Sequence, residues 1–151
     1  MNLVKKLDNF NINYVYFCEP IKNNIMNEAN FIRILYSTSL FVLNGIYISF
    51  NINNVFIEKY YNKYKCIFDV NEYSHTIEKI RQIEMSILQK INIKDKIPQH
   101  KITDQFKFGH IKIFSEYIEN NVLKNNIFVL KISGVWETEL YYGVTFKFIK
   151  I

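Results

Sequence analysis

The sequence is poor in the residues that build covalent frameworks and ligand-binding loops. It has two cysteines, Cys18 and Cys66, which are too few for a disulfide framework or a zinc site, and both stand in strand-like runs where a small buried thiol is expected. Its four glycines are spread singly, so there is no glycine-rich phosphate loop. Its three histidines lack the spacing of metal ligands. We therefore expect a protein that is not an enzyme and that holds no cofactor or metal.

Long apolar runs are also missing. The longest, residues 40–50, is interrupted by Asn44 and Ser49 and is too short to cross a bilayer. The first six residues lead into polar sequence and contain no apolar signal region. Together with the scarcity of cysteine, these features predict a soluble intracellular protein that does not contact a membrane.

The charge is unbalanced toward lysine. The 151 residues carry a formal net charge of +5, which favours an anionic partner. However, Arg33 and Arg81 are the only arginines, Ala29 is the only alanine, and isoleucine, asparagine, tyrosine and phenylalanine are abundant. Such a composition is typical of an A+T-rich coding sequence. Part of the lysine excess can therefore reflect codon usage, and the net charge alone is weak support for a nucleic-acid partner.

Period-two alternation of apolar residues predicts β-strands through most of the chain. The predicted strands cover residues 12–18, 31–36, 40–50, 64–70 and 110–114, and a final hairpin covers 127–151. Asn44-Gly45 fits either a tight turn or a bulge in one long strand, and we favour the bulge. Residues 51–63 are typical of a loop, with a short strand at 55–57.

One segment is predicted to be a helix, residues 72–91, because isoleucines recur there at three- and four-residue steps. Residues 103–108 are expected to add a helical turn. One helix between the third and fourth strands of a curled antiparallel sheet is the order of the OB-fold. We therefore expect a mostly β protein, a five- to seven-stranded, partly open OB-like antiparallel barrel. It would form a single domain over residues 1–151, with 1–11 at its periphery; the alternative is an α+β antiparallel sheet with one covering helix.

Three groups of basic and aromatic residues are candidates for binding nucleic acid. Lysine can neutralise a phosphate, and an aromatic ring can stack on an unpaired base, a contact worth about 1–3 kcal/mol per base. The first group pairs Arg33 with Tyr36 on a predicted strand. The others are the run Lys59, Tyr60, Tyr61, Lys63, Tyr64 and Lys65, and the final-hairpin residues Lys131, Trp136 and Lys147.

Each group also has a purely structural interpretation. The tyrosines of the second group are equally consistent with rings that pack the barrel mouth and keep their hydroxyls in water. Arg33 is consistent with an ion pair, and Trp136 with a cap on the core. Lys131 and Lys147 are opposite in phase to the large apolar residues of their strands, so we expect both on the solvent side.

The final hairpin resembles the closing strands of OB-fold single-stranded DNA-binding proteins of phages and large double-stranded DNA viruses. The first arm reads Leu-Lys-Ile-Ser-Gly-Val-Trp from Leu130 to Trp136, and the second reads Gly-Val-Thr-Phe-Lys from Gly143 to Lys147. The resemblance is specific over residues 127–149, topological over 31–115 and absent from the first dozen residues. It implies that Lys131, Trp136, Phe146 and Lys147 contact the nucleic acid.

The same resemblance implies non-catalytic coating of single strands during DNA replication and recombination. The A+T-rich composition suits a large DNA virus or a similarly biased selfish element, and the resemblance implies a site of action in the host cytoplasm or the nucleus. Many members of that group end in an acidic tail that recruits replication proteins, whereas this sequence ends in strand-like residues 145–151. Recruitment by a tail is therefore in doubt, while replication proteins remain possible partners and self-association is left open.

Two further interpretations compete with single-stranded DNA binding. One is a structural, assembly or protein-interaction module that uses an exposed sheet edge, for which self-association should survive high salt. The other is RNA binding by the same surface, because the 2′-hydroxyl is the main difference that RNA presents.

Overall fold

The structure is a computed structural model that describes residues 4–22, 29–113, 122–123 and 126–150. Within these residues the strands are β1 (Lys5–Lys6), β2 (Val15–Phe17), β3 (Ile21–Lys22), β4 (Asn30–Ser37), β5 (Val42–Asn44), β6 (Ile46–Ile52), β7 (Val55–Tyr60), β8 (Lys63–Ile67), β9 (Ile97–Gln99), β10 (His110–Ile113), β11 (Val122–Leu123), β12 (Asn126–Glu137) and β13 (Tyr141–Lys150). The helices are α1 (Ser74–Ile91) and α2 (Lys101–Lys107), and short 3-10 turns span Leu7–Asn9 and Ile12–Tyr14.

The strands form a mixed sheet, and the protein is a β-rich α+β fold. The order of neighbours among the described strands is β1-β6-β12-β13-β10-β8-β7-β11, and β4 joins β12 while pairing with β2, β3 and β5. The pairs β1/β6, β10/β13 and β9/β13 are parallel, so the expected purely antiparallel sheet is wrong. In the described part of the chain the sheet does not close into a barrel. Its outermost strands are β1, which pairs with β6, and β11, which pairs with β7, and these two strands do not pair with each other.

The long hairpin predicted at the end of the chain is present as β12 and β13. On its other side β12 pairs with β6 through residues 126–132 and with β4 through residues 134–137. The register with β13 shifts between Ile132 and Gly134. The hairpin therefore lies at the centre of the sheet and connects its two halves.

The single bulged strand expected over residues 40–50 is instead two strands, β5 and β6, joined at Gly45. Gly45 has a φ of 98°, and a Cβ there would lie 2.9 Å from the carbonyl oxygen of Ile132. Only glycine adopts this backbone without strain at so close an approach. The chain turns a corner at this residue, leaving β4 and joining β12.

Residues 51–63 contain more strand than the sequence indicated. The predicted short strand at 55–57 is the start of β7, which pairs with β8 as far as Tyr60 and Lys63. The two-residue turn between them places Tyr61 at a φ of 56°. The polar composition of this segment concealed the alternation of Val55 and Ile57, both of which are buried.

Both helices cover one face of the sheet, called here the inward face. The ring of Phe106 in α2 lies 5.8 Å from Phe50 of β6 and 5.5 Å from Phe148 of β13. Helix α1 buries Ile80 and Ile87 in the same core. The helix predicted over residues 72–91 is thus confirmed with a start two residues later, and α2 is a second helix where one turn was expected. Neither described helix is long and apolar enough to cross a membrane.

A buried carboxylate connects the two helices. Glu84 of α1 is 0% exposed and accepts hydrogen bonds from the backbone N–H groups of Ile102 and Thr103, both at 2.9 Å. The hydroxyl of Thr103 donates a third hydrogen bond at 2.6 Å. These bonds satisfy backbone donors that the first turn of α2 cannot pair internally.

Candidate nucleic-acid interface

The opposite, outward face of the sheet carries four lysines on four neighbouring strands, called here the lysine row. They are Lys65 of β8, Lys112 of β10, Lys147 of β13 and Lys131 of β12. Lys65 is directly opposite Lys112, and Lys131 is directly opposite Lys147. Directly opposite residues in a sheet point to the same face. Each pair of lysines therefore projects to one side together.

The two pairs meet where β10 runs alongside β13. Ile113 is in parallel register with Phe148, and both side chains are buried in the core. Side chains alternate between the faces along a strand. The preceding residues, Lys112 and Lys147, therefore lie side by side on the outward face and complete the row.

The row spans roughly 15 Å, because neighbouring strands are about 4.8 Å apart. Glu58 of β7 is opposite Lys65 at one end, and Tyr47 of β6 is opposite Lys131 at the other. The ammonium of Lys131 lies 5.5 Å from the centre of the Tyr47 ring. None of the four lysines forms an ion pair with a carboxylate of the described residues.

The lysine row concentrates positive charge, and this charge also acts on the nearby side chain of His110. Like charges directly opposite one another destabilise a sheet. His110 precedes Lys112 by two residues on the same strand. Burial lowers the pKa of His110, and the charges of Lys65 and Lys112 lower it further, against a hydrogen bond with the backbone of Phe108 that raises it. Binding an anion at the row would relieve both effects of the positive charge.

Trp136 lies on the same outward face. The register shift in β12 reverses the alternation, so that Val135 is buried in the core and Trp136 projects outward. A Cβ on the opposite residue, Gly143, would come 2.7 Å from the indole Cζ2, so the indole covers the Gly143 backbone. The ammonium of Lys101 lies 4.8 Å from the indole ring, within the range of a cation–π contact. The indole is half-buried and partly open to solvent.

Six of the residues predicted from the sequence share this face: Arg33, Lys63, Lys65, Lys131, Trp136 and Lys147. Arg33 is exposed and is opposite Gly134, beside the strand position of Trp136. From the sequence, Arg33 is consistent either with an ion pair or with an exposed position. Arg33 forms no ion pair with the described carboxylates.

Three predicted contacts face the core instead, and we no longer count them as part of the interface. Tyr36 is 2% exposed, and its hydroxyl oxygen accepts a hydrogen bond from the backbone N–H of Asn11 at 3.1 Å. Tyr64 is buried, and Phe146 packs edge-on against Phe148 at 5.6 Å. Each occupies an inward position in the alternation of its strand, so its ring lies on the other face of the sheet from the lysine row.

The remaining predicted residues and Lys63 surround the tip of the β7–β8 hairpin. Lys59 is exposed and opposite Tyr64, so it projects from the other face than Lys65. Tyr61 is exposed in the turn, and Lys63 is half-buried beside it. The side chain of Tyr60 lies outside the described part of the structure. The hairpin tip therefore contributes no described ring directly beside the lysine row.

Lys112, Tyr47 and Phe56 also lie on the outward face, although they were not among the residues predicted from the sequence. Lys112 alternates with the buried residues Ile111 and Ile113, which is the signal that placed Lys131 on the solvent side. Applied to β10, it would have identified Lys112 as exposed, although not as a neighbour of Lys147. Tyr47 and Phe56 are at outward positions of β6 and β7, and their phase is evident once the strand bounds are known.

No protein family, no curated protein and no solved structure that was compared matches this chain. The resemblance of residues 127–149 to viral and phage single-stranded DNA-binding proteins therefore stays a prediction. In the described ranges no three histidine, cysteine or acidic side chains are placed to hold a metal ion together. Burial raises the pKa of the Cys66 thiol to about 12, so this group is protonated at neutral pH.

Proposed function

We propose that this protein binds single-stranded DNA with little sequence preference. In this proposal the lysine row neutralises successive phosphates, and Trp136 stacks on an unpaired base. The supporting observation is the row itself, four like charges held in register on neighbouring strands that form no ion pair with a described carboxylate. A polyanion with regularly spaced charges is the ligand whose binding offsets this repulsion.

The partly open indole favours a single strand over a duplex. A base offers its flat face only when it is unpaired and unstacked, and stacking on an aromatic side chain is tolerant of sequence. Lysine, unlike arginine, has no planar guanidinium. It therefore recognises a phosphate as a point charge and does not select a particular base edge. Both properties are those of a protein that coats strands rather than one that reads a sequence.

The biological role that we propose is non-catalytic coating of single strands in DNA replication and recombination of the viral type. This part rests on the resemblance of residues 127–149, which unites Lys131, Trp136 and Lys147 in one motif. OB-like topology belongs to the same proposal. RNA is the alternative ligand of the same surface.

The test is a titration with oligo-dT followed by Trp136 fluorescence at several salt concentrations. Four neutralised phosphates predict that log K falls by about 2.8 for each tenfold rise in salt, at about 0.7 per phosphate on a single strand. Replacing Lys112 and Lys147 by Gln should roughly halve this slope, since two of the contacts are lost. A matched control replaces Lys94 and Lys107, which are equally exposed lysines outside the row.

Two results would overturn the proposal: no saturable binding at low salt, or an equal loss of affinity in the control pair. Self-association that survives high salt and ignores oligo-dT would favour an assembly module instead. Competition by oligo-U that exceeds competition by oligo-dT would assign the surface to RNA.

A further inference from the structure

We infer that Phe56 is a second platform for base stacking, and that the bound strand crosses the β-strands with its bases on the side of the lysine row that carries Phe56 and Trp136. This inference rests on the proposed binding of single-stranded DNA. It adds a contact residue that the sequence analysis did not identify, and it gives the ligand a direction relative to the sheet.

Phe56 lies directly beside the lysine row. It is opposite Ile67, and Ile67 is in turn opposite His110, so the three side chains form a second row on the outward face. Ile67 and His110 are each two residues from a lysine of the first row, Lys65 and Lys112. Phe56 is 54% exposed, so about half of the residue's surface is available to a ligand.

Trp136 lies on the same side of the lysine row as Phe56. Because β10 and β13 are parallel, the step from Lys112 back to His110 has the same direction as the step from Lys147 back to Gly143. Gly143 is opposite Trp136. Both rings therefore lie on one side of the row, Phe56 at the Lys65 end and Trp136 beyond the Lys131 end. Gly143 precedes Lys147 by four residues, so the strand position of Trp136 is roughly 13 Å from the row along the strands.

On the other side of the row the described part of the sheet offers one exposed ring, Tyr61 in the β7–β8 turn, and none at the Lys131 end. There Val129 and Ile149 are paired with each other, next to Lys131 and Lys147. Val129 is 3% exposed and Ile149 is half-buried, and neither has a ring. The orientation that matches both the charges and the rings therefore has the phosphates at the lysine row and the bases on the side of Phe56 and Trp136.

The separation of the two rings sets the direction of the strand. Phe56 is on β7 and Trp136 on β12, with β8, β10 and β13 between them. Four steps of about 4.8 Å place the rings roughly 19 Å apart across the sheet. They are too far apart to stack on one base, and only a strand that runs along the lysine row reaches both.

The experiment compares oligo-dT with an abasic oligonucleotide of the same length, each labelled for fluorescence anisotropy. Phe56→Ala should weaken the binding of oligo-dT at least about fivefold, because one stacked base is lost. It should leave the binding of the abasic strand and the salt slope unchanged, because the phosphate contacts remain. Phe56→Leu keeps an apolar side chain without a π-face, so it should lose the same affinity while preserving packing against Ile67.

The matched control is Tyr16→Ala. Tyr16 is 53% exposed and lies on β2, which pairs with β4 and with none of the strands of the lysine row. This substitution should change neither affinity. Urea unfolding of each variant separates a loss of binding from a loss of folding.

Unchanged oligo-dT binding in both Phe56 variants, or an equal loss on the abasic strand, would overturn this inference. Provided that oligo-dT binding still depends on Lys112 and Lys147, the proposed function would survive that result. If the unmodified protein does not bind oligo-dT at all, the proposed function fails first, so the two failures are distinguishable.

Discussion

The two faces of the sheet hold charged side chains in opposite ways. Behind the inward face, Glu84 has no exposure to solvent, and three donors from Ile102 and Thr103 satisfy its carboxylate. On the outward face, the lysines of the row face one another in register, and no described carboxylate pairs with them. The buried charge has every hydrogen-bond partner supplied by the chain, whereas the four lysines form no ion pair with a described carboxylate, although Glu58 is opposite Lys65.

Under the proposed function, this difference separates a structural charge from charges that bind a ligand. A buried charge that is fully hydrogen-bonded belongs to the fold, because removing it leaves its donors unpaired. Like charges on neighbouring strands oppose the fold, and under the proposed function an anionic partner accounts for their presence on an exposed face. Substitutions on the two faces should therefore have opposite effects on stability and on binding.

The largest expected effect is the loss of stability in Glu84→Ala. Three buried donors lose their acceptor, and each unpaired group costs about 1–3 kcal/mol, so the free energy of unfolding should fall by about 3 kcal/mol or more. Urea denaturation measures this loss. The affinity of the remaining folded protein for oligo-dT should not change, because Glu84 is behind the inward face.

The control for this substitution is Glu139→Ala. Glu139 is exposed near the turn of the final hairpin, so its removal should change the free energy of unfolding by less than about 0.5 kcal/mol. A loss for Glu84→Ala that is no larger than the loss for Glu139→Ala would contradict a structural role for the buried carboxylate.

An effect of opposite sign is expected for Lys147→Glu in the lysine row. The new carboxylate would lie opposite Lys131 and beside Lys112, so repulsion becomes attraction, and the free energy of unfolding should rise by about 0.2–1 kcal/mol. Affinity for oligo-dT should fall at the same time, because a phosphate contact is replaced by a repulsive charge. Thermal or urea unfolding and the fluorescence titration give the two values.

Lys107→Glu is the control with the same change of net charge. Lys107 is exposed at the end of α2, and the described carboxylates form no ion pair with it. It should weaken binding much less than Lys147→Glu and should not stabilise the sheet. A Lys147→Glu variant that is less stable than the unmodified protein would show that the row is not under repulsion.

Local patterns in the sequence predicted the individual strands and helices of this fold better than they predicted which strands pair with one another. The final hairpin and α1 have strong periodicity, and both are present near their predicted bounds. Strict alternation would also have placed Tyr36 and Tyr64 inward, because Ile34 and Cys66, two residues away on the same strands, are buried. Tyr36 and Tyr64 were predicted wrongly because their residue type was given more weight than their position in the alternation of the strand.

The lysine row was not predictable from local patterns. Its continuity depends on the parallel pairing of β10 with β13, which brings Lys112 beside Lys147 although they are far apart in the chain. Alternation determines which face a side chain occupies, but it does not determine which strands become neighbours. The sequence could therefore predict that Lys131 and Lys147 share a face, but not that Lys65 and Lys112 extend it.

The smallest expected effect is on His110, which reports the field of the row. Burial and then the charges of Lys65 and Lys112 hold the pKa of His110 below the ordinary value of 6.5. The unfolded chain therefore takes up this proton first as the pH falls, and the free energy of unfolding decreases below about pH 6.5 until the folded protein is protonated too. The contribution of neutral His110 to stability is fully present above that pH.

Bound phosphates should reverse part of this shift. Anions at Lys65 and Lys112 reduce the positive field, so the pKa of His110 should rise when oligo-dT saturates the protein. By linkage, affinity for oligo-dT should then increase as the pH falls from about 7 toward 6, and His110→Gln should abolish that increase. An NMR titration of the His110 ring with and without oligo-dT measures the shift directly. Lys65→Gln should raise the pKa of His110 in the free protein and diminish the further rise on binding. An identical His110 titration in the free and saturated protein would place the bound strand away from the Lys65 and Lys112 end of the row.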